Sequence, residues 1–312
     1  MNKRNHILSA IIYMALLTGC IRDEACDMGV SLTFTFDFTS ETLLPALSPD
    51  DARKAHLYVF HSADGRFVAS SVFDRPRFDT PNRVGVTLAP GVYDFVLWFN
   101  QETPFYTTPS ADGFVKGHTL RQNARLELDL SLWEGDVSAP ILFYAKVDGA
   151  RVKPMIDNFF VAPLTLNTHR IRFTAKGLSY SADTFRFSIT DNSGAYDFDN
   201  DFASFRTFDY GVSTTFVTAR ESLQASVDVL RLAAGRTPAF TMRNLSAGET
   251  LYPRRPEDNV NLVELILDKY PDIDFDRYHL FDIILTFDID MRVTVDVHAW
   301  NYNGDDYNIF PD

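Results

Sequence analysis

The chain has 312 residues, 46% hydrophobic, 14% aromatic and 23% charged, with a formal net charge of −13. A surface this acidic repels phosphate backbones and no basic cluster offsets it, which excludes nucleic acid as a natural partner. The length exceeds what one β-sandwich needs, and the abundance of Phe (27) and Tyr (13) favours strands over disorder.

The first predicted element is an export signal. Lys3 and Arg4 form a short positive region, and residues 7–17 are almost unbroken apolar sequence. As a helix they would reach only about 16 Å, roughly half of a hydrocarbon core. Leu17-Thr18-Gly19-Cys20 follows, a pattern that looks like a bacterial lipobox and not a small-x-small cleavage site. That chemistry needs a thiolate to take diacylglycerol as a thioether, and small Thr18 and Gly19 to expose the bond before Cys20. Cleavage between Gly19 and Cys20 frees the Cys20 amine for a further acyl chain. It also leaves 27 basic against 42 acidic residues, a net of −15. Each buried methylene contributes roughly 0.8 kcal/mol, so two or three acyl chains (palmitate among them) hold a protein on a bilayer almost permanently. Ile21, in place of Asp, carries no inner-membrane retention signal, and Arg22-Asp23-Glu24 is similar to the tether of surface-exposed lipoproteins. The expected address is therefore the outer membrane, facing outward. Cys26 is an odd thiol, a small buried residue or a bystander.

Strict alternation begins at Ser31. Leu32, Phe34, Phe36 and Phe38 point one way, and Ser31, Thr33, Thr35 and Asp37 the other. Residues 55–60 (AHLYVF) read as a strand covered on both faces, and Asp64-Gly65 turns it into residues 66–73. Residues 84–88, the turn Pro90-Gly91 and residues 92–99 (VYDFVLWF) give another strand–turn–strand. Residues 126–132 and 141–147 are further strands. A second series contains residues 169–174, 184–190, 222–232 and a strand at Phe240 and Met242. Residues 259–270 predict a helix capped by Asp258 or Asn259 and stopped by Pro271. Residues 280–288 and 291–300 read as a closing hairpin. Short strands between turn signals imply an all-β protein of two sandwiches. The expected division is 1–19 signal peptide, 20–30 lipidated tether, 31–162 first sandwich and 163–312 second.

No catalytic constellation appears, so no enzyme is expected. His6, His56, His61, His118, His169, His279 and His298 show no metal-ligand spacing, and no nucleophile elbow or phosphate loop occurs. The acid-rich runs 197–201 (DFDND) and 272–276 (DIDFD) have two readings: calcium ligands helped by carbonyls, or strands with one wet face. No cofactor or metal is assigned. Asn244-Leu245-Ser246 matches a glycosylation sequon that means little in a bacterial lipoprotein.

Several stretches, in order, resemble the FimB-type fimbrial anchor family, the minor subunits that root type V fimbriae in Gram-negative outer membranes. They are CIRDEACDMGVSLTFTFDF, AHLYVFHSADGRFV, LAPGVYDFVLWFN, HRIRFTAKGL, FRFSITDNSGAYDFDND and NLVELILDKYPDIDFDRYHLFDIILTFD. Asp27 departs from the family, which usually has Pro there, and family members vary where this chain ends in residues 301–312. The resemblance implies two tandem transthyretin-like β-sandwich domains and a lipid-held fimbrial base. It also implies partnership with a major fimbrial subunit (fimbrilin) and accessory subunits through strand addition, in which backbone hydrogen bonds supply affinity. Two other readings stay open: a tip or accessory adhesin, and a surface lipoprotein that captures glycans on a platform of Trp98, Trp133 or Trp300.

Overall fold

A computed structural model describes residues 28–38, 53–101, 106–108, 113–132, 135–179, 181–216, 222–255 and 258–300. The signal segment, Gly19, Cys20, the tether with Cys26, Trp133 and the tail 301–312 lie outside the described residues.

The amino-terminal strand β1 (Met28–Phe38) is followed by β2 (Lys54–His61), β3 (Phe67–Asp74), β4 (Asn82–Leu88) and β5 (Gly91–Phe99). Two short strands, β6 (Tyr106–Thr107) and β7 (Arg125–Leu128), precede β8 (Phe143–Val152) and β9 (Asn158–Leu166). All but β6 and β7 join one seven-stranded sheet in the order β3-β2-β5-β8-β9-β1-β4. The sheet curls until its edges lie alongside each other, and Ser71 Oγ donates to the Gly85 carbonyl at 3.1 Å. Alternation in β1 puts Leu32, Phe34 and Phe36 into the core this curl encloses. Phe34 meets Phe95 edge-on at 5.5 Å and Phe36 meets Phe99 at 5.0 Å. The continuous apolar runs have the predicted cause. Ala55, Leu57 and Val59 face the enclosed core, while Tyr58 and Phe60 face a second core on the other side of the sheet.

The chain leaves this sheet after Leu166 and enters the next at Thr168, so the 162/163 division falls inside β9. Strands β10 (Thr168–Lys176), β14 (Ser222–Leu230), β17 (Leu280–Phe287) and β18 (Val293–Trp300) form a sheet ordered β14-β10-β17-β18. Facing it is β13-β11-β15-β16, made of β11 (Phe185–Asp191), β13 (Phe208–Thr214), β15 (Ala239–Asn244) and β16 (Glu249–Tyr252). Phe173 joins the two layers, stacked on Phe187 at 4.9 Å and on Phe240 at 4.8 Å. A small third sheet, β12-β7-β6, pairs β12 (Ala195–Asp197) of the second half with β7 of the first. The protein is all-β with one α-helix, α1 (Leu262–Lys269), among the described residues.

Two local expectations shift. The helix starts later than 259 because that stretch lies against β15: Phe240 N donates to the Val260 carbonyl and Leu262 N to the Pro238 carbonyl. The cap is Asn261, which accepts from Val263 N at 3.0 Å. The strand expected over 126–132 stops at Leu128, because Asp129 Oδ1 accepts from both Ser131 N (3.0 Å) and Ser131 Oγ (2.6 Å) and turns the chain into a 3₁₀ segment.

Candidate functional site

The root of the chain is β1. It is flanked on both sides, antiparallel to β4 from Met28↔Leu88 to Phe34↔Asn82 and parallel to β9 from Leu32↔Asn158 to Phe38↔Leu164. A pull on its amino end loads both ladders in shear, so they must fail together. Two buried asparagines fix the turns beside it. Asn158 Oδ1 accepts from Lys153 N at 2.9 Å, while its Nδ2 donates to the Lys153 and Ile156 carbonyls at 3.1 Å each. Asn82 repeats the clamp on residues 77–82, accepting from Arg77 N at 2.7 Å and donating to the Arg77 and Thr80 carbonyls at 2.6 and 3.0 Å.

The two halves meet at a charged hub. Arg121 Nη1 lies 3.1 Å from Asp94 and 2.8 Å from Asp148, and its Nη2 is 3.4 Å from Asp199. Lys146 spans Asp148 at 2.9 Å and Asp199 at 3.0 Å. Burial would raise the Asp148 carboxyl, but hydrogen bonds from Lys146 and Arg121 outweigh it and hold it below its ordinary value. Apolar contact reinforces the hub, since Trp98, Tyr58 and Phe60 share one core with Phe198. Tyr144 donates to the Phe198 carbonyl at 3.0 Å.

The structure gives the acid-rich runs other partners than a metal. In 197–201, Asp197 Oδ1 accepts from Asp199 N (2.9 Å) and Asp201 N (3.0 Å), and Asp199 meets Lys146 and Arg121. In 272–276, Asp274 Oδ1 accepts from Asp276 N at 2.9 Å and Asp276 lies 3.3 Å from Arg231. Among the described residues no group of three His, Cys, Asp or Glu side chains is placed to hold a metal ion. Asn244 of the sequon is engaged in its own turn, donating to Asp183 at 2.9 Å and accepting from Ala247 N at 3.0 Å.

Among the described residues the histidines disperse, except for one buried pair. His169 and His279 have ring centroids 5.1 Å apart, and His169 Nδ1 accepts from Leu232 N at 3.1 Å. Burial, with His279 and Arg231 nearby, pushes His169 well below the usual imidazole range, and burial lowers His279 to about 4. Beside them a cleft of about 160 Å³ is lined by Ile141, Leu166, Arg170, Asp228, His279 and Leu280. It falls short of the several hundred Å³ of a usual ligand pocket. Trp98 is fully buried, and half-buried Trp300 donates to Asp282 at 2.9 Å, so neither builds an exposed glycan platform. The Asn82 and Asn158 clamps and the Arg121 hub carry no short-range motif, and sequence reasoning did not find them.

Fold and surfaces together are those of an all-β protein whose working parts are paired strands and shared cores. The chain belongs to the family of fimbrillin-A associated anchor proteins, whose model matches residues 22–306. It is thus a fimbrial anchor or minor subunit. Its fold is similar to that of the fimbrial anchor protein Mfa2 from Porphyromonas gingivalis: 20% identity, TM-score 0.67, 89% of this chain and 99% of that one covered. A candidate adhesin from Bacteroides thetaiotaomicron matches at 18% identity and TM-score 0.65, over 87% of this chain and 96% of its own. A candidate polysaccharide-binding protein from the same species matches at 15% identity and TM-score 0.64, over 88% and 100%. No curated protein matches the chain by sequence.

Proposed function

We propose that the chain is the lipid-held base of a fimbria, exported by residues 1–19, cleaved between Gly19 and Cys20, and fixed to the outer membrane through acylated Cys20. Residues 20–27 are the tether leading into β1, and the two units divide at Asn167, between β9 and β10. Fimbrillin-type subunits are its partners, joined by strand addition, and it acts without catalysis. The observation that carries this reading is the pairing of β1 on both edges: the first described strand after the lipobox has a hydrogen-bonded partner on either side. A tether entering there transmits force to two hydrogen-bond ladders at once, which suits a subunit that a fibre pulls on.

Deleting the gene should release fimbriae into the medium, and Cys20→Ala should abolish incorporation of labelled fatty acid. Fibres that stay cell-bound after deletion would overturn the anchor role, and label retained by Cys20→Ala would overturn the attachment site. Immunolabelling at the cell-proximal end of the fibre is expected; labelling at the distal end would make the chain a tip adhesin.

A further inference from the structure

The two asparagine-clamped turns share one hydrogen-bond pattern and differ in what they show to water. In residues 77–82 the third and fourth positions are Asp79 and Thr80, both exposed, while Phe78 packs on Phe36, Phe99 and Phe143. In residues 153–158 the same positions hold Met155, 98% exposed, and Ile156, 54% exposed. Phe159 and Val161 continue this patch along β9 at 69% and 63% exposed. Met155 also sits at φ 59°, where Asn or Gly would be less strained, so folding does not ask for Met there. An apolar side chain kept in water at a position that its twin turn fills with Asp calls for a partner.

The register places the two turns at opposite ends of the first unit. β9 runs parallel to β1 with Asn158 level with Leu32, so residues 153–157 lie toward Met28. Asp157 confirms it, meeting Arg83 at 2.5 Å while Arg83 Nε donates to Ser31 Oγ at 2.6 Å. β4 is antiparallel with Asn82 level with Phe34, so residues 77–81 lie toward Phe38. The apolar turn is therefore at the end where the tether joins. Only eight residue steps separate Cys20 from Met28, a reach of at most about 29 Å even fully extended. At this tip Arg151 and Lys153 are exposed and Asp157 is ion-paired, so a strongly acidic protein presents little net negative charge there.

We infer that this tip, Met155 and Ile156 with Phe159 and Val161 behind them, seats against the outer surface of the bilayer that holds Cys20. It is a second, reversible membrane contact, and it sets the angle at which the first unit stands. The inference rests on the lipid anchor proposed above. Apolar side chains at a headgroup boundary bury to roughly 5–10 Å, with affinity growing with the apolar area buried.

The test uses the full acylated chain reconstituted into phosphatidylethanolamine–phosphatidylglycerol vesicles with brominated acyl chains, carrying either Ile156→Trp or Thr80→Trp. Quenching of the added indole by roughly two-fold or more at position 156, with position 80 unquenched, is the expected result. A chain that floats with the vesicles while neither position is quenched overturns the tip contact and leaves the anchor standing. A chain that takes up no fatty acid and does not float removes the anchor, and the tip contact falls with it. Phe159→Trp repeats the measurement should Ile156→Trp misfold. In cells, a photo-crosslinker at 155 should capture lipid; capture of a neighbouring protein, or of a second copy, would reassign the tip.

Discussion

The two halves of the molecule treat their sheets in opposite ways. The first curls one seven-stranded sheet until β3 and β4 meet, enclosing a core of its own, and has the outer face of β2, β5 and β8 covered as well. The second keeps two separate four-stranded sheets and leaves the outer face of one of them wet. On that face Arg170 pairs with Asp228 at 2.7 Å and Arg172 pairs with Asp282, each across neighbouring strands. The lesson is that within the first half packing is uneven: β2, β5 and β8 are covered on both sides, whereas β4 and β9, on either side of β1, keep their outer faces in water. Such pairs on a wet face favour strand register more than they add stability.

The comparison is most easily broken in the cores. Phe34→Ala should destabilise by about 3–5 kcal/mol, and Phe173→Ala by a similar amount, because each empties a fully buried site. Urea unfolding measures both; a loss below about 1 kcal/mol for Phe34 would mean that β1 is not the structural root. Acid comes next and should act on the second half first. His279 falls to about 4 when folded and His169 is also lowered, so the unfolded chain takes up protons first. Their contribution is fully present above about pH 6.5 and is lost as pH drops toward 4, on the order of 3 kcal/mol for His279 alone. Thermal melts from pH 7.5 to 4.5 check it, and His279→Gln should flatten the slope.

A smaller change sharpens the boundary between the halves. Asp199→Ala removes the second half's carboxylate from Arg121 and Lys146. Because the site is partly exposed, the cost should be about 1 kcal/mol, with calorimetry showing a broader transition as the halves uncouple. Arg172→Ala should cost the least, under about 1 kcal/mol, since its guanidinium is largely in water. Equal effects at Asp199 and Arg172 would reduce the hub to an ordinary surface cluster.

Much of the strand content was legible because a period of two reports a buried face directly. Leu32, Phe34 and Phe36 declared β1, and the unbroken run at residues 55–60 declared a strand buried on both faces, as β2 is. β9 was not legible as a strand: Pro154 precedes it and Pro163 lies within it, both of which read as breaks. Its place between β8 and β1 depends on partners far away in sequence. The candidate site was even less visible. Asn158 is one polar residue among many until Lys153 and Ile156 are seen folded around it.

By itself the sequence determined an all-β chain and offered a lipobox-like pattern at its head, because side-chain alternation and a short apolar run are properties of neighbouring residues. The tertiary structure decided what each buried face is buried against. It closed the first sheet, brought Asp199 to Arg121 and Lys146, and turned Met155 and Ile156 outward at the Met28 end of the first unit. Those outcomes rest on contacts between distant strands, and alternation marks a face for burial without naming the face that will cover it.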